Sequence, residues 1–373
     1  MSRECEVVVV GAGIVGLASA AALARAGRSV VVLEREPEVA RGITSRSSQV
    51  VHASLYDPEG SLKATLCARG RELLYERCER LRLPHRRLGK LVVAVEEAER
   101  EPLLRLFERG TRNGASGLEL LDRAGVRRLE PAVHAVAAVL SPDSGIVDAR
   151  GLALSYAAEL EAHGGAVALG AELETLERSG GRHRLRVARR DGSTETLSCD
   201  AVVNAAGLGA ERVARLAGID TAARGLRLRP CKGDYFALAP RAPLRLSRLV
   251  YPVSDGPGLG IHATLDLGGR IRFGPDAEYV DAPSYTVDPG KATIFAADVR
   301  PWLPGFDAAW LTPDQAGVRP KLAGPDDAFR DFVIAEESAS GLPGLVNLVG
   351  IESPGLTAAP AIAERVVALL AGF

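Results

Sequence analysis

The sequence predicts an α/β protein. A parallel-sheet domain is split along the chain and interrupted by an α+β domain built on a mostly antiparallel sheet. Three observations lead there. Four consecutive valines, 7 to 10, run into a glycine-rich turn and an apolar helix close to the N-terminus. Strand–glycine–helix units recur around 200–217 and 344–370, and 143–148 leads into a helix over 149–163 closed by Gly164 and Gly165. The stretches between, 81–145 and 223–317, alternate as strands do, for example at 90–95 and 270–274. A length of 373 residues suits two units, one divided by the other. The expected boundaries are 1–80, 146–222 and 318–373 for the parallel domain, and 81–145 and 223–317 for the other.

Composition narrows the partners. With a formal net charge of −1, a broad electrostatic grip on nucleic acid or anionic lipid is not expected. Only five of the 46 basic residues are lysine (63, 90, 232, 291, 321), so each lysine is worth locating. The five cysteines (5, 67, 78, 199, 231) are odd in number and form no CxxC pair, which speaks against a disulfide framework or a metal site and for a reducing compartment. Residues 7–24 carry no charge over 18 positions, long enough to raise a membrane helix. Yet Glu4 and Glu6 precede them, the valines favour strand, and three glycines would weaken a membrane helix. A buried strand, turn and helix is the better reading. The expected location is cytoplasmic, with peripheral contact at the inner membrane face left open.

The turn itself reads Gly11-Ala-Gly13-Ile14-Val15-Gly16. In a dinucleotide fold Gly11 allows the tight turn, Gly13 admits a pyrophosphate, and Gly16 lets helix and strand pack closely. The helix N-terminus offers free N–H groups and partial positive charge. A second strand over 29–33 ends at Glu34, where a carboxylate can accept from ribose hydroxyls. A cradle at one end of the chain, completed by segments near the other, favours bound flavin over NAD, whose fold usually occupies one continuous block.

Seven segments then carry a resemblance that runs nearly end to end. They are 45–52 (SRSSQVVH), 60–63 (GSLK), 84–94 (PHRRLGKLVVA), 260–266 (GIHATLD), 272–276 (RFGPD), 317–321 (GVRPK) and 350–357 (GIESPGLT). Together they resemble the L-2-hydroxyglutarate dehydrogenases and oxidases of the D-amino-acid-oxidase-like flavoprotein superfamily. The resemblance implies non-covalent FAD and oxidation of a 2-hydroxy acid to a 2-keto acid, with oxygen or a quinone as electron acceptor. Two departures stand near the expected flavin face. Arg46-Ser47-Ser48 replaces Arg-Asn-Ser, and Ser54 and Asp57 replace a glycine and a tyrosine in the segment after His52. An Asp57 facing the pocket would repel a second substrate carboxylate.

Such chemistry needs a held carboxylate, a base for the hydroxyl proton, and Cα–H placed against the flavin. The resemblance assigns the carboxylate to Arg319, whose guanidinium can grip it bidentately. Lys321 and Lys90 follow, for a distal carboxylate or the flavin edge. His163 (helix end), His183 (an Arg-rich loop), His134 (a turn) and His85 read as surface or structural. His52 and His262 lie in matched segments, so one of them is expected to be the base, with His52 preferred. Tyr251 and Tyr235 are candidates for substrate hydrogen bonds. For FAD the expected set is Gly11, Gly13, Ile14, Val15, Gly16, Glu34, Arg35, Ser47 and Ser48. The backbone of Ala206 and Gly207, and of Gly350, Ile351, Ser353, Gly355, Leu356 and Thr357, should complete the site. The competing readings are an amine or amino-acid oxidase on the same scaffold, and a flavin-binding scaffold without chemistry.

Overall fold

Four β-branched residues in a row suit a strand covered on both faces, and that is where Val7–Val10 sits. The computed structural model describes residues 3–254 and 259–373. Val7–Val10 lies inside a six-stranded sheet ordered Ala166–Leu169, Val30–Glu34, Val7–Val10, Ala201–Asn204, Leu342–Val349, Val333–Glu337. The first five strands are parallel and the last is antiparallel. The helix Ile14–Arg25 packs against two others, Ala149–Ala162 and Gly355–Leu369. Its residues are buried nearly all round, which explains why it lacks a polar stripe. Val8, Val10, Leu33, Val202, Leu345 and Val349 instead join a core with Leu173, Leu185, Val187 and Leu197 of a second, four-stranded sheet. The uncharged run is thus strand, turn and helix. Among the described residues no helix is long and apolar enough to cross a membrane.

The chain divides into two units by internal contacts. The first comprises the chain up to Ser45, Ala149–Arg229 and Arg319–Phe373; the second comprises Arg46–Asp148 and Pro230–Val318. The first boundary falls at 45/46, not 80/81, because the helix Leu62–Leu81 and its lead-in contribute to the second unit. Other sequence expectations also shift. The second strand runs Val30–Glu34, so Glu34 is its last residue. The C-terminal helix runs Gly355–Leu369, with Pro360 buried inside it. His183 belongs to the strand Arg182–Arg189, not a loop, and is buried with its Nε2 3.0 Å from the Pro343 carbonyl oxygen.

The second unit centres on a nine-stranded sheet. Lys90–Ala94 lies between Leu249–Pro252, parallel to it, and Ala137–Ser141, antiparallel. The other pairs recorded in this sheet are antiparallel. Directly opposed residues share a face. Leu91, Val250, Ala263, Phe273 and Phe236 are opposed in turn and form one row. Phe236 meets Phe295 of the helix Ala292–Val299 edge-on at 4.8 Å, so this row faces the apolar core. The adjacent row, with Lys90 and Tyr251, faces the other way. Phe295 is 1% exposed, and Phe295→Ala should destabilise the protein by about 3–5 kcal/mol in urea unfolding monitored by circular dichroism.

Candidate active site

The glycine turn of the first unit is held by backbone against backbone. Gly11 has φ +106°, and a Cβ there would lie 2.6 Å from the Ala205 carbonyl oxygen. A Cβ on Gly16 would run into the Gly11 carbonyl oxygen. Gly13 differs, since its nearest neighbour would be Thr44 Oγ1 at an ordinary 3.5 Å. Its bareness therefore leaves room for something outside the protein, as a pyrophosphate requires. The Ile14 N–H is not free for that role, because it donates to Thr44 Oγ1 at 3.0 Å. Glu34 braces the loop by accepting from Ala12 N (2.8 Å) and Glu36 N (2.9 Å). A carboxylate has roughly four acceptor positions, so both oxygens can still receive ribose hydroxyls. Arg35 is exposed and pairs with Glu36 at 3.6 Å.

The turn at Ala206 and Gly207 follows the Ala201–Asn204 strand and is anchored by a buried amide pair. Asn204 Nδ2 donates to Ala210 O and to Asn347 Oδ1, both at 2.8 Å, and Asn347 Nδ2 donates to Glu337 Oε1. Gly350 has φ +73°, and the segment from Ile351 passes Ser353 into the helix that starts at Gly355. Leu356 and Thr357 stand in its first turn, Thr357 fully buried. Thr44, Asn204 and Asn347 were not singled out from the sequence. They act by supporting backbone and belong to no motif.

In the second unit the polar row of the sheet collects the chemistry. Extending the Val250–Ala263 register by one residue sets Tyr251 opposite His262, and their rings stack at 3.8 Å. Lys90 Nζ lies over the Tyr251 ring at 4.0 Å and 5.2 Å from the Tyr56 ring centre. His52 is delivered by a small sheet in which Val50–Val51 pairs with Gly145–Val147. His262 Nδ1 lies 2.9 Å from Gly260 O. A carbonyl can only accept, so the neutral ring carries its proton on Nδ1 and keeps the Nε2 lone pair. Burial holds the His52 imidazole well below its usual range, and the charges of Lys90 and His262 push the same way. Burial also lowers the Lys90 ammonium to about 7, with partial opposition from Cys67. Burial first, then Tyr56 and Tyr235, keeps the Tyr251 phenol protonated. His52, His262, Lys90, Tyr251 and Tyr235 thus belong to one neighbourhood. Tyr56 joins them, missed although it stands in the variant segment after His52.

The departures look different in place. Ser54 has φ +58°, the conformation a glycine adopts without strain. Its hydroxyl donates to Ala64 O at 3.1 Å, so it turns towards the helix Leu62–Leu81 and adds no bulk elsewhere. The Asp57 carbonyl accepts from Asn113 Nδ2. Ser47 and Ser48 lie in the second unit, where Gln315 Nε2 donates to Ser47 O at 3.2 Å. Gly317 fits that approach, since a Cβ there would lie 2.5 Å from Arg46 O. The alternating burial along Leu311–Lys321 puts Gly317, Arg319 and Lys321 on its less buried face. Lys321 is committed to Glu352 at 3.0 Å, which offsets the charge expected to meet substrate. Lys232 and Lys291 neutralise the buried Asp234, each at 3.0 Å, and Lys291 also binds Asp276 and Glu278, so these three carboxylates already hold a cation.

The family model for DAO, FAD dependent oxidoreductase, matches residues 6–369. The chain belongs to that family. It is an FAD-dependent oxidoreductase, as the motifs implied, and the open space at Gly13 fits the cofactor. Its relatives include the mitochondrial L-2-hydroxyglutarate dehydrogenase of Arabidopsis thaliana, 37% identical over 98% of this chain and 83% of that one. The human protein of the same name is 37% identical over 73% of this chain, and the match spans 60% of its length. The bovine protein gives the same figures. Among solved structures, L-α-glycerophosphate oxidase from Mycoplasma pneumoniae with FAD bound superimposes at a TM-score of 0.88 with 24% identity. It covers all of this chain and 96% of that one. Glycine oxidase from Geobacillus kaustophilus gives 0.82 and 21%, covering 99% and 95%. These two show the fold, a two-unit α/β architecture as expected.

Gly16→Ala should cost about 3 kcal/mol, the upper end for overpacking, because backbone must move to admit the Cβ. The purified variant should carry little or no flavin, measured as flavin absorbance per protein after gel filtration.

Proposed function

We propose that this enzyme oxidises the CH–OH group of an L-2-hydroxy acid, with L-2-hydroxyglutarate as substrate and 2-oxoglutarate as product. The observation that supports the reading is the proximity of His52 to His262 and the buried Lys90, in a near full-length relative of an L-2-hydroxyglutarate dehydrogenase. FAD, when bound without a covalent link, supplies the acceptor for the Cα hydride.

The chain's own residues have three tasks. Arg319 holds the 1-carboxylate, where a bidentate guanidinium fixes orientation as well as affinity. His52 receives the hydroxyl proton. It is neutral at physiological pH, and it keeps some open surface where His262 is 4% exposed. Before substrate arrives, burial makes His52 a weak base, and the charged fraction of Lys90, whose ammonium is lowered to about 7, weakens it further. A bound carboxylate offsets that charge and strengthens the base when the proton must move. His262, anchored through Nδ1 and stacked on Tyr251, orients the neighbourhood and presents the Nε2 lone pair. The phenols of Tyr251 and Tyr235 serve as hydrogen-bond donors, since burial holds Tyr251 in its protonated form. The acceptor that reoxidises the enzyme is oxygen or a quinone. The odd number and scatter of the five cysteines support a reducing, cytoplasmic location for this chain, whereas the relatives are named mitochondrial.

Mixing the enzyme anaerobically with L-2-hydroxyglutarate should bleach its flavin band, while L-amino acids leave it unchanged; the opposite pattern would establish the amine-oxidase reading. His52→Gln should lower kcat by about 10²–10⁴ with FAD retained. A base must be deprotonated to work, so the acid limb of kcat/KM should lie below pH 6.5 in the wild type, the direction in which His52 is shifted. Arg319→Lys should raise KM by about 30-fold or more with flavin content intact, because a point charge replaces a two-pronged grip.

A further inference from the structure

Among the buried polar atoms of the second unit that make no hydrogen bond, two stand beside the candidate base His52. Lys90 is completely buried on a central strand, and its Nζ makes no hydrogen bond among the described residues. The Tyr56 hydroxyl is likewise buried and unpaired. An ammonium carries three donors, and aromatic faces at 4.0 and 5.2 Å satisfy none of them as an oxygen would. Buried polar groups without partners are rare in native proteins, and each calls for an explanation such as a ligand. The backbone on either side of the phenol is pinned: Arg109 Nη1 donates to Tyr56 O at 3.0 Å, and Asn113 Nδ2 to Asp57 O at 2.9 Å. An ammonium only donates and a phenol can donate, so an acceptor, best an anionic oxygen, is the partner that suits both.

We propose that Lys90 and Tyr56 determine specificity by binding the second carboxylate of a dicarboxylic 2-hydroxy acid. This rests on the reading that the site takes a 2-hydroxy acid. It also reassigns the variant segment: the phenol of Tyr56 provides the attraction that Asp57 was expected to oppose. A proton balance follows. The free amine titrates at about 7, so at higher pH it is mostly neutral and must gain a proton to hold a carboxylate. The titratable groups around it are His52, Tyr56, Cys67, Tyr251 and His262. The Cys67 thiol is raised to about 11 and both phenols are raised by burial, so none of these three ionises near neutrality. His52 is held neutral. Lys90, lowered only to about 7, is the group to which the proton is assigned, and loss of the uptake in Lys90→Met separates it from His52 and His262.

The test uses FAD-loaded enzyme and glutarate, a dicarboxylate with no hydroxyl to oxidise. Isothermal titration calorimetry at pH 8 in two buffers of different ionisation heat should show uptake of about one proton per glutarate by the wild type. Lys90→Met should show none, and should bind glutarate about 30-fold more weakly. Tyr56→Phe, which removes a single oxygen, should weaken binding about 5- to 10-fold and keep the proton uptake. In turnover, Lys90→Met should narrow the preference for L-2-hydroxyglutarate over L-2-hydroxybutyrate by about 30-fold. Glutarate affinity and proton uptake unchanged in Lys90→Met, with flavin content intact, would overturn the proposal. If Lys90→Met does not fold, Tyr56→Phe decides by the same measure: unaltered glutarate affinity counts against the pair. Should glutarate bind through Lys90 while no 2-hydroxy acid bleaches the flavin, the carboxylate site stands and the proposed reaction falls.

Discussion

The register of the central strands in the nine-stranded sheet is the constraint on which the candidate site depends. Because side chains alternate, a one-residue slip of Lys90–Ala94 against Leu249–Pro252 would carry Lys90 into the apolar core and Leu91 out of it. The native register is enforced from the apolar side, where Leu91, Val250, Ala263, Phe273 and Phe236 form a continuous row under Phe295. The opposite row then inherits Lys90, Tyr251 and His262 at fixed spacing. Packing on one face thus sets the electrostatics of the other. A charge that would cost little on the surface is buried beside an imidazole: burial lowers the Lys90 ammonium, and burial together with Lys90 lowers the His52 imidazole.

The first unit solves a different problem, that of bringing backbone close to a diphosphate. Its glycines are required by contacts with Ala205 and with each other, not by flexibility. The loop is then braced by groups that do not themselves need to touch a ligand. Thr44 takes the Ile14 N–H, Glu34 takes two backbone N–H groups, and the Asn204–Asn347 amide pair holds the strand ends. Such bracing restricts the turn before any cofactor arrives, so less ordering entropy is lost on binding.

Much of this was legible in the chain. The cradle could be read because strand, glycine spacing, helix and acid lie within 34 residues and depend on local geometry. His52, His262 and Lys90 could be singled out through their motifs, but their proximity could not, since 210 positions separate the two histidines in the chain. The boundary expected at 80/81 lies at 45/46 in the structure, because the Leu62–Leu81 helix has the same local pattern whichever unit it serves. The C-terminal helix runs through Pro360, a residue type that breaks helix hydrogen bonding, with that residue buried inside it. Lys321 looked like a free cation until Glu352, 31 residues away, was found beside it.

By itself the sequence determined the reaction class and the cofactor fold, because glycine stereochemistry and short motifs act over a few residues and tolerate few alternatives. Tertiary structure alone decided which charges are spent internally and which are kept for a ligand. Lys232, Lys291 and Lys321 meet carboxylates, whereas Lys90 meets aromatic faces. Residue type is the same in all four cases. What separates them is the partner that strand pairing places within a few ångströms, and Coulomb energy in a buried setting depends on that distance far more than on sequence.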